Sequence, residues 1–223
     1  MPAHLPRAGA PLVAGLAASL VAGAGRAEPV RFELDPAHTA LAFLVEHVGY
    51  AKVIGRFDDV TGSLVWDEAA GELSELRVVV VTASVDTGDE ARDEHLRKAD
   101  FLDVAKHPEM VFTASALAPR PAPDAEDGAD GTASGSGADG DDAPPLVGTL
   151  EGTLELLGRA RPLALDVTLN KAADYPFGHA ELTLGVSARG ALSRSDWGMD
   201  YGVANALVGD EVELLIEAEA IRE

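Results

Sequence analysis

Cysteine is missing from all 223 residues, which rules out disulfides, thiolate catalysis, cysteine-ligated zinc and iron–sulfur centres. Aromatic residues are scarce at 5%, so any core has to be built mainly from Val, Leu and Ala. Positive charge is also short: 17 Lys and Arg stand against 38 Asp and Glu, a formal net charge of −21. A field of that sign repels phosphate backbones and anionic lipid surfaces, so a nucleic-acid partner is excluded. Catalytic spacings are absent as well. There is no GxSxG elbow, and the six histidines (His4, His38, His47, His95, His107, His179) form no HxH or HExxH pair. A metal centre would need His38, His47 and His95 to be folded together, and no short ligand pair supports that. The expectation is therefore no metal and no cofactor.

What the chain does have is apolar material, 47% of its residues, enough for a packed domain. Its beginning reads as an export signal. Arg7 gives a weakly positive start, an uncharged Ala/Leu/Val/Gly stretch runs from Ala8 to Gly25, and Gly25-Arg26-Ala27 offers small residues at alternate positions. Those are the parts of a cleavable signal peptide, and the stretch is too diluted by Gly, Ala and Pro to read as a membrane span. Residues 1–27 are thus assigned as signal peptide and 28–223 as the mature domain, periplasmic or secreted, with no stable membrane insertion after cleavage. Cleavage removes Arg7 and Arg26 and leaves the domain more acidic still.

One segment stands apart. Pro119–Pro145 is 27 residues long and holds seven carboxylates, one arginine and no Val, Leu, Ile or aromatic residue. Such a segment cannot bury enough surface to offset its ordering entropy, so a disordered acidic insertion is expected over 119–145. Gly135-Ser-Gly137-Ala-Asp-Gly140 inside it matches GxGxxG. The context rejects the match, because no apolar strand precedes it and Asp139, Asp141 and Asp142 would repel a pyrophosphate.

Elsewhere the pattern is period two. Val212, Leu214, Ile216 and Ala218 alternate with mostly acidic neighbours, and Leu163, Leu165, Val167 and Leu169 alternate with Ala164, Asp166, Thr168 and Asn170. Leu182, Leu184 and Val186 do the same, and Gly148, Leu150, Gly152, Leu154 and Leu156 share one face. Further strands are expected at Val30–Leu34, Thr39–Val45, Phe57–Trp66, Leu73–Ser84 and Glu109–Ala116. The result is an all-β chain with one or two short helices, an antiparallel barrel or sandwich. Thr87–Phe101 is the expected helix, capped by Asp86 or Thr87. Gly148 and Gly152 inside a strand suggest a bend or a close approach to backbone.

Several separated blocks then carry a resemblance. They are Asp35-Pro-Ala-His38-Thr39, Phe43-Leu-Val-Glu-His47, Lys52-Val-Ile-Gly-Arg-Phe57, Ser84-Val-Asp-Thr-Gly88, Arg92-Asp-Glu-His-Leu-Arg97, Asp100-Phe-Leu-Asp103, His107-Pro108, Ser193-Arg-Ser-Asp-Trp-Gly198 and Val208-Gly-Asp-Glu-Val212. In this order and spacing the chain resembles the YceI-like family of secreted polyisoprenoid-binding proteins from about Val30 to Arg222, apart from the insertion. It departs from the family pattern at Leu157, where a histidine often precedes the glycine. The resemblance implies an extended, lipocalin-like antiparallel β-barrel of about eight strands enclosing an apolar tunnel. It further implies binding, storage or transport of polyisoprenoid or similar lipid, isoprenoid quinone included, by a non-enzyme. Monomer and homodimer are both compatible with it. The alternative is an enzyme acting on a lipid-like ester in the same cavity.

Candidate tunnel-lining residues are Phe43, Val45, Ile54, Phe57, Phe101, Phe112, Leu150, Leu154 and Trp197, each of which could equally be plain core. Arg92, Asp93, His95, Arg194 and Asp196 form a candidate polar rim. The competing reading of these five is a capping and salt-bridge set that ties a helix across one barrel opening.

Overall fold

A computed structural model describes residues 29–67, 70–120 and 146–223. The expected signal peptide and residues 121–145 of the expected insertion lie outside the described residues. Among the described residues are eleven strands: β1 (Val30–Leu34), β2 (Ala40–His47), β3 (Ala51–Phe57), β4 (Val60–Asp67), β5 (Glu72–Val81), β6 (Val85–Asp86), β7 (Glu109–Arg120), β8 (Leu146–Leu156), β9 (Arg159–Asp174), β10 (Leu182–Ser193) and β11 (Val208–Arg222). Every pairing is antiparallel, in the order β1-β4-β5-β7-β8-β9-β10-β11-β2-β3-β6.

Strand β11 closes the sheet. Its first half pairs with β2 (Leu214 opposite Phe43) and its second half with β1 (Ala220 opposite Leu34), while β1 also pairs with β4. So β1 and β2 run end to end along one neighbour, and β4 and β3 do the same along them. The segments make a closed eight-stranded barrel, with the outer edge of β3 paired, among the described residues, only at Arg56 and Phe57, by β6. The joint between β1 and β2 has a local cause. Pro36 has no N–H to give a ladder, and Asp35 folds back to accept from the Ala37 N–H at 2.9 Å, making a single 3-10 turn over Pro36–His38.

The sequence placed some boundaries differently. The strand expected at Phe57–Trp66 is two strands, β3 and β4, broken at Asp58-Asp59, and β3 reaches back to Ala51. Pro119 and Arg120, expected in the insertion, continue β7 opposite Gly148 and Val147. Arg120 is held there by Asp166 at 2.8 Å. The helix α1 spans only Glu90–Leu96 rather than Thr87–Phe101, and its cap is Asp89, which accepts from the Arg92 N–H at 2.9 Å. Gly88 sits at φ +75°, a left-handed conformation that keeps the helix from starting earlier. Close approach, rather than a bend, explains Gly152: a Cβ there would strike the Phe112 ring and the Thr113 carbonyl oxygen.

The two barrel ends differ. One end carries the β2–β3 turn, the segment 82–108 with α1, and the loop 194–207. The other carries the β9–β10 turn, the ends of β4 and β7, and the starts of β5 and β8. Inside, a large apolar cluster around Phe112, Leu150, Leu154, Leu163 and Leu165 occupies the first end and the middle. A second cluster of Phe32, Trp66, Leu184 and Ala220 fills the other end.

Candidate functional site

Inward positions of β2, β3, β4, β5, β7, β8, β9, β10 and β11 surround a cavity of about 700 Å³, within the range that holds drug-sized and lipid ligands. Its walls are Val, Leu, Ile, Met and Phe over most of their length. Phe43 and Phe112 keep their rings flat to the wall because each lies over a glycine of a nearby strand position, Gly55 and Gly152. A methyl at either glycine would push a ring into the cavity. Small residues at those positions are what leave room for a ligand chain.

Polarity is confined to one end. Apart from Thr39, whose hydroxyl donates to the Asp35 carbonyl at 2.7 Å, the polar wall residues are Glu46, His47, Arg92, His95, Arg194 and Tyr201, all at the end carrying α1. There the cavity reaches solvent, because Val48, Tyr201 and Leu207 are at once cavity wall and exposed. The Val48 N–H donates to the Leu207 carbonyl at 3.2 Å, tying the hairpin tip to the facing loop. His95, Phe101 and Tyr201 form a ring trio with centroids 5.0–5.2 Å apart, spacings at which edge-on aromatic contacts are favourable.

The candidate residues separate in space. Phe43, Val45, Phe57, Phe101, Phe112, Leu150 and Leu154 lie on the cavity wall, as do Arg92, His95 and Arg194. Ile54 does not. It shares a face with Lys52 and Arg56 and is 65% exposed on the outside of β3, while Val53 and Phe57 point in. Trp197 is buried in the core behind the wall, its Nε1–H donating to the Leu154 carbonyl at 3.2 Å. Asp196 is exposed and off the wall.

Two of the rim candidates are architectural. Asp93 is buried and accepts from the Thr87 N–H (2.9 Å) and hydroxyl (2.6 Å), fastening the helix to the strand before it. Arg194 is 2% exposed and donates to four carbonyls, Gly209, Met199, Tyr201 and Val208, at 2.7–2.9 Å. Burial lowers its pKa, against the pull of Asp210 and Asp200. Its job is to hold the loop 199–209 in the shape that frames the mouth. Arg92 reaches back to Thr87, donating to its hydroxyl at 2.7 Å and its carbonyl at 2.9 Å. His95 faces Asp100 at 3.2 Å.

The three histidines do not converge. His38 is on the outer wall with Asp35 and Glu219, a group whose donor atoms lie within 4.8 Å of one another and are the metal-capable set among the described residues. His38 Nδ1 is already engaged with Asp35 Oδ2 at 2.6 Å, which raises the His38 pKa and lowers that of Asp35. That pair braces the β1–β2 joint. Sequence reasoning passed over Tyr201, Val48 and Leu207 as mouth residues; the signal was the apolar content of the two turns that carry them.

Comparison with known proteins agrees with this architecture. The YceI-like domain model matches residues 32–220. Protein YceI of Escherichia coli is 30% identical over 210 residues, covering 92% of this chain and 94% of that one. The crystal structure of the Campylobacter jejuni YceI protein superposes with a TM-score of 0.60 at 26% identity, over 80% of this chain and 89% of that one. A polyisoprenoid-binding domain from Saccharophagus degradans shares the fold at a TM-score of 0.60 and 16% identity, over 87% of this chain and 99% of that one. Since the match runs from Phe32 at the barrel end opposite α1 through to Ala220 on its last strand, and takes in every strand that walls the cavity, the chain belongs to the YceI-like family.

Proposed function

We propose that the protein binds a polyisoprenoid or similar long-chain amphiphile, isoprenoid quinones included, and stores or carries it outside the cytoplasm. The observation that carries this reading is the distribution of polarity: an apolar barrel cavity whose polar wall residues gather at its open end. A polyprenyl tail needs no hydrogen bonds, and its burial is favourable by roughly 25 cal/mol per Å² of apolar surface. The tail therefore enters first and the head group stays at the mouth. The guanidinium groups there are engaged, Arg194 with four carbonyls and Arg92 with Thr87. A head group held at the mouth meets the His95–Phe101–Tyr201 rings. The role is binding rather than ester hydrolysis, a reading supported by the family membership and by a cavity wall made of hydrocarbon. The name of the Saccharophagus domain points to the same ligand class in that protein.

Native mass spectrometry of the protein purified from the extracytoplasmic fraction tests the reading. The expected result is a chain beginning near Glu28 with a co-purified lipid of isoprenoid mass. A chain retaining Met1 in the cytoplasm would remove the location. Protein that carries no lipid and takes up none of isoprenoid class would remove the ligand.

A further inference from the structure

The cavity reaches solvent at the end carrying α1, and at the opposite end the described residues pack a cluster that is only partly shared with the wall. Phe32, Trp66 and Leu184 are buried and form no part of the cavity surface, while Leu34, Leu64, Val186 and Ala220 belong both to the cavity wall and to the cluster around those three. Phe32 and Trp66 project from β1 and β4, and Leu184 stands on β10 directly opposite Ala220. Strand pairing alone does not require such a floor, because an eight-stranded barrel can hold a ligand along its axis. Two aromatic rings and a leucine have instead been packed across that axis.

We infer that this plug is a length gauge: it sets how long a tail the cavity accepts, with Phe32 and Trp66 as the determining residues and Ala220 as the point where the floor meets the ligand end. The inference rests on the lipid-binding reading above. A tail shorter than the cavity leaves wall uncovered and loses burial; one that is longer has to protrude through the mouth, where its last units gain nothing. Affinity should therefore climb with chain length and then level off at a definite unit. Removing a plug ring lengthens the cavity toward the β9–β10 turn. Adding bulk at Ala220 raises the floor.

The test uses the mature barrel and prenols of graded length (farnesol, geranylgeraniol, solanesol), with binding read by native mass spectrometry and by competition. Wild type should show a cut-off in length. Trp66→Ala should move it to longer prenols and gain roughly tenfold in affinity for the first prenol beyond the wild-type limit, and Ala220→Leu should move it to shorter ones. Leu64→Ala, a smaller change on the shared boundary, carries the lengthening arm if Trp66→Ala does not fold. An unchanged length profile in folded Leu64→Ala and Ala220→Leu, or a wild type whose affinity keeps rising through solanesol, overturns the gauge while leaving lipid binding intact. A wild type that binds no prenol of any length removes the lipid reading and the gauge with it.

Discussion

Leu154 separates a ligand cavity from a packed core more sharply than any other position. It is 7% exposed, lies on the wall between Phe112 of β7 and Arg161 of β9, and its carbonyl accepts from Trp197. In a fully packed core, Leu→Ala costs about 2–5 kcal/mol, the upper values going with the largest residual void. Here one side of the side chain already faces the cavity, so truncation enlarges an existing space and loses mainly the transfer term. The expected loss for Leu154→Ala is therefore about 2 kcal/mol, or a fall of about 4–8 °C in Tm for a domain of this size. Leu154→Asp removes the same burial and places a carboxylate among hydrocarbon, a cost of several kcal/mol were the site dry. Through the mouth, water can reach it and the group can protonate, so the barrel should survive, destabilised, with its lipid lost. The assay is paired: thermal melting and lipid extraction on both variants. Complete unfolding of Leu154→Asp together with a loss of about 5 kcal/mol in Leu154→Ala would refute the cavity, since that is the response of a packed core. Wild-type lipid content in Leu154→Asp would refute this face as the binding surface.

Other outcomes follow from the same geometry. Arg194→Ala should strip four carbonyls of their donor and cost about 3–5 kcal/mol, with hydrogen exchange accelerating over residues 199–209; protection unchanged there would remove its framing role. Gly55→Ala, whose new methyl would meet the Phe43 ring first, should drive that ring into the cavity and weaken lipid retention more than stability, checked by lipid content against Tm. The His38–Asp35 pair should show a signed pH dependence. The raised His38 pKa gives stability that is full below its ordinary value of 6.5 and is lost as pH climbs through the folded value, while the lowered Asp35 pKa gives stability lost on acidification through its own. Histidine NMR titration and melts of His38→Ala across pH 3–9 should show the variant flatter at both limbs, and parallel curves would refute the brace. Replacing residues 121–145 by an Asn-Gly turn should leave Tm nearly unchanged, because β7 and β8 already pair as far as Arg120 and Val147, whereas collapse of the circular-dichroism signal would show that the insertion is structural.

The sequence by itself determined that the chain is strand-built, because alternation such as Val212-Leu214-Ile216-Ala218 can bury one face only in a sheet. Its ordered blocks from Asp35 to Val212 determined the family. It was less able to say which face is which. On β3, Val53 and Ile54 are both apolar, and a shift of one residue exchanges inside for outside; Lys52 and Arg56 on Ile54's own face were the signal that it points to water. The blocks around Asp93 and Arg194 read equally as rim or as framework. Only the fold shows their buried side chains spent on backbone and hydroxyl partners, some of them contributed by loops distant in sequence. The cavity, its mouth and its floor belong to tertiary structure altogether. Whether eight inward faces meet or leave a space depends on the summed volumes of side chains from every strand once the ring has closed, and no strand carries that sum alone.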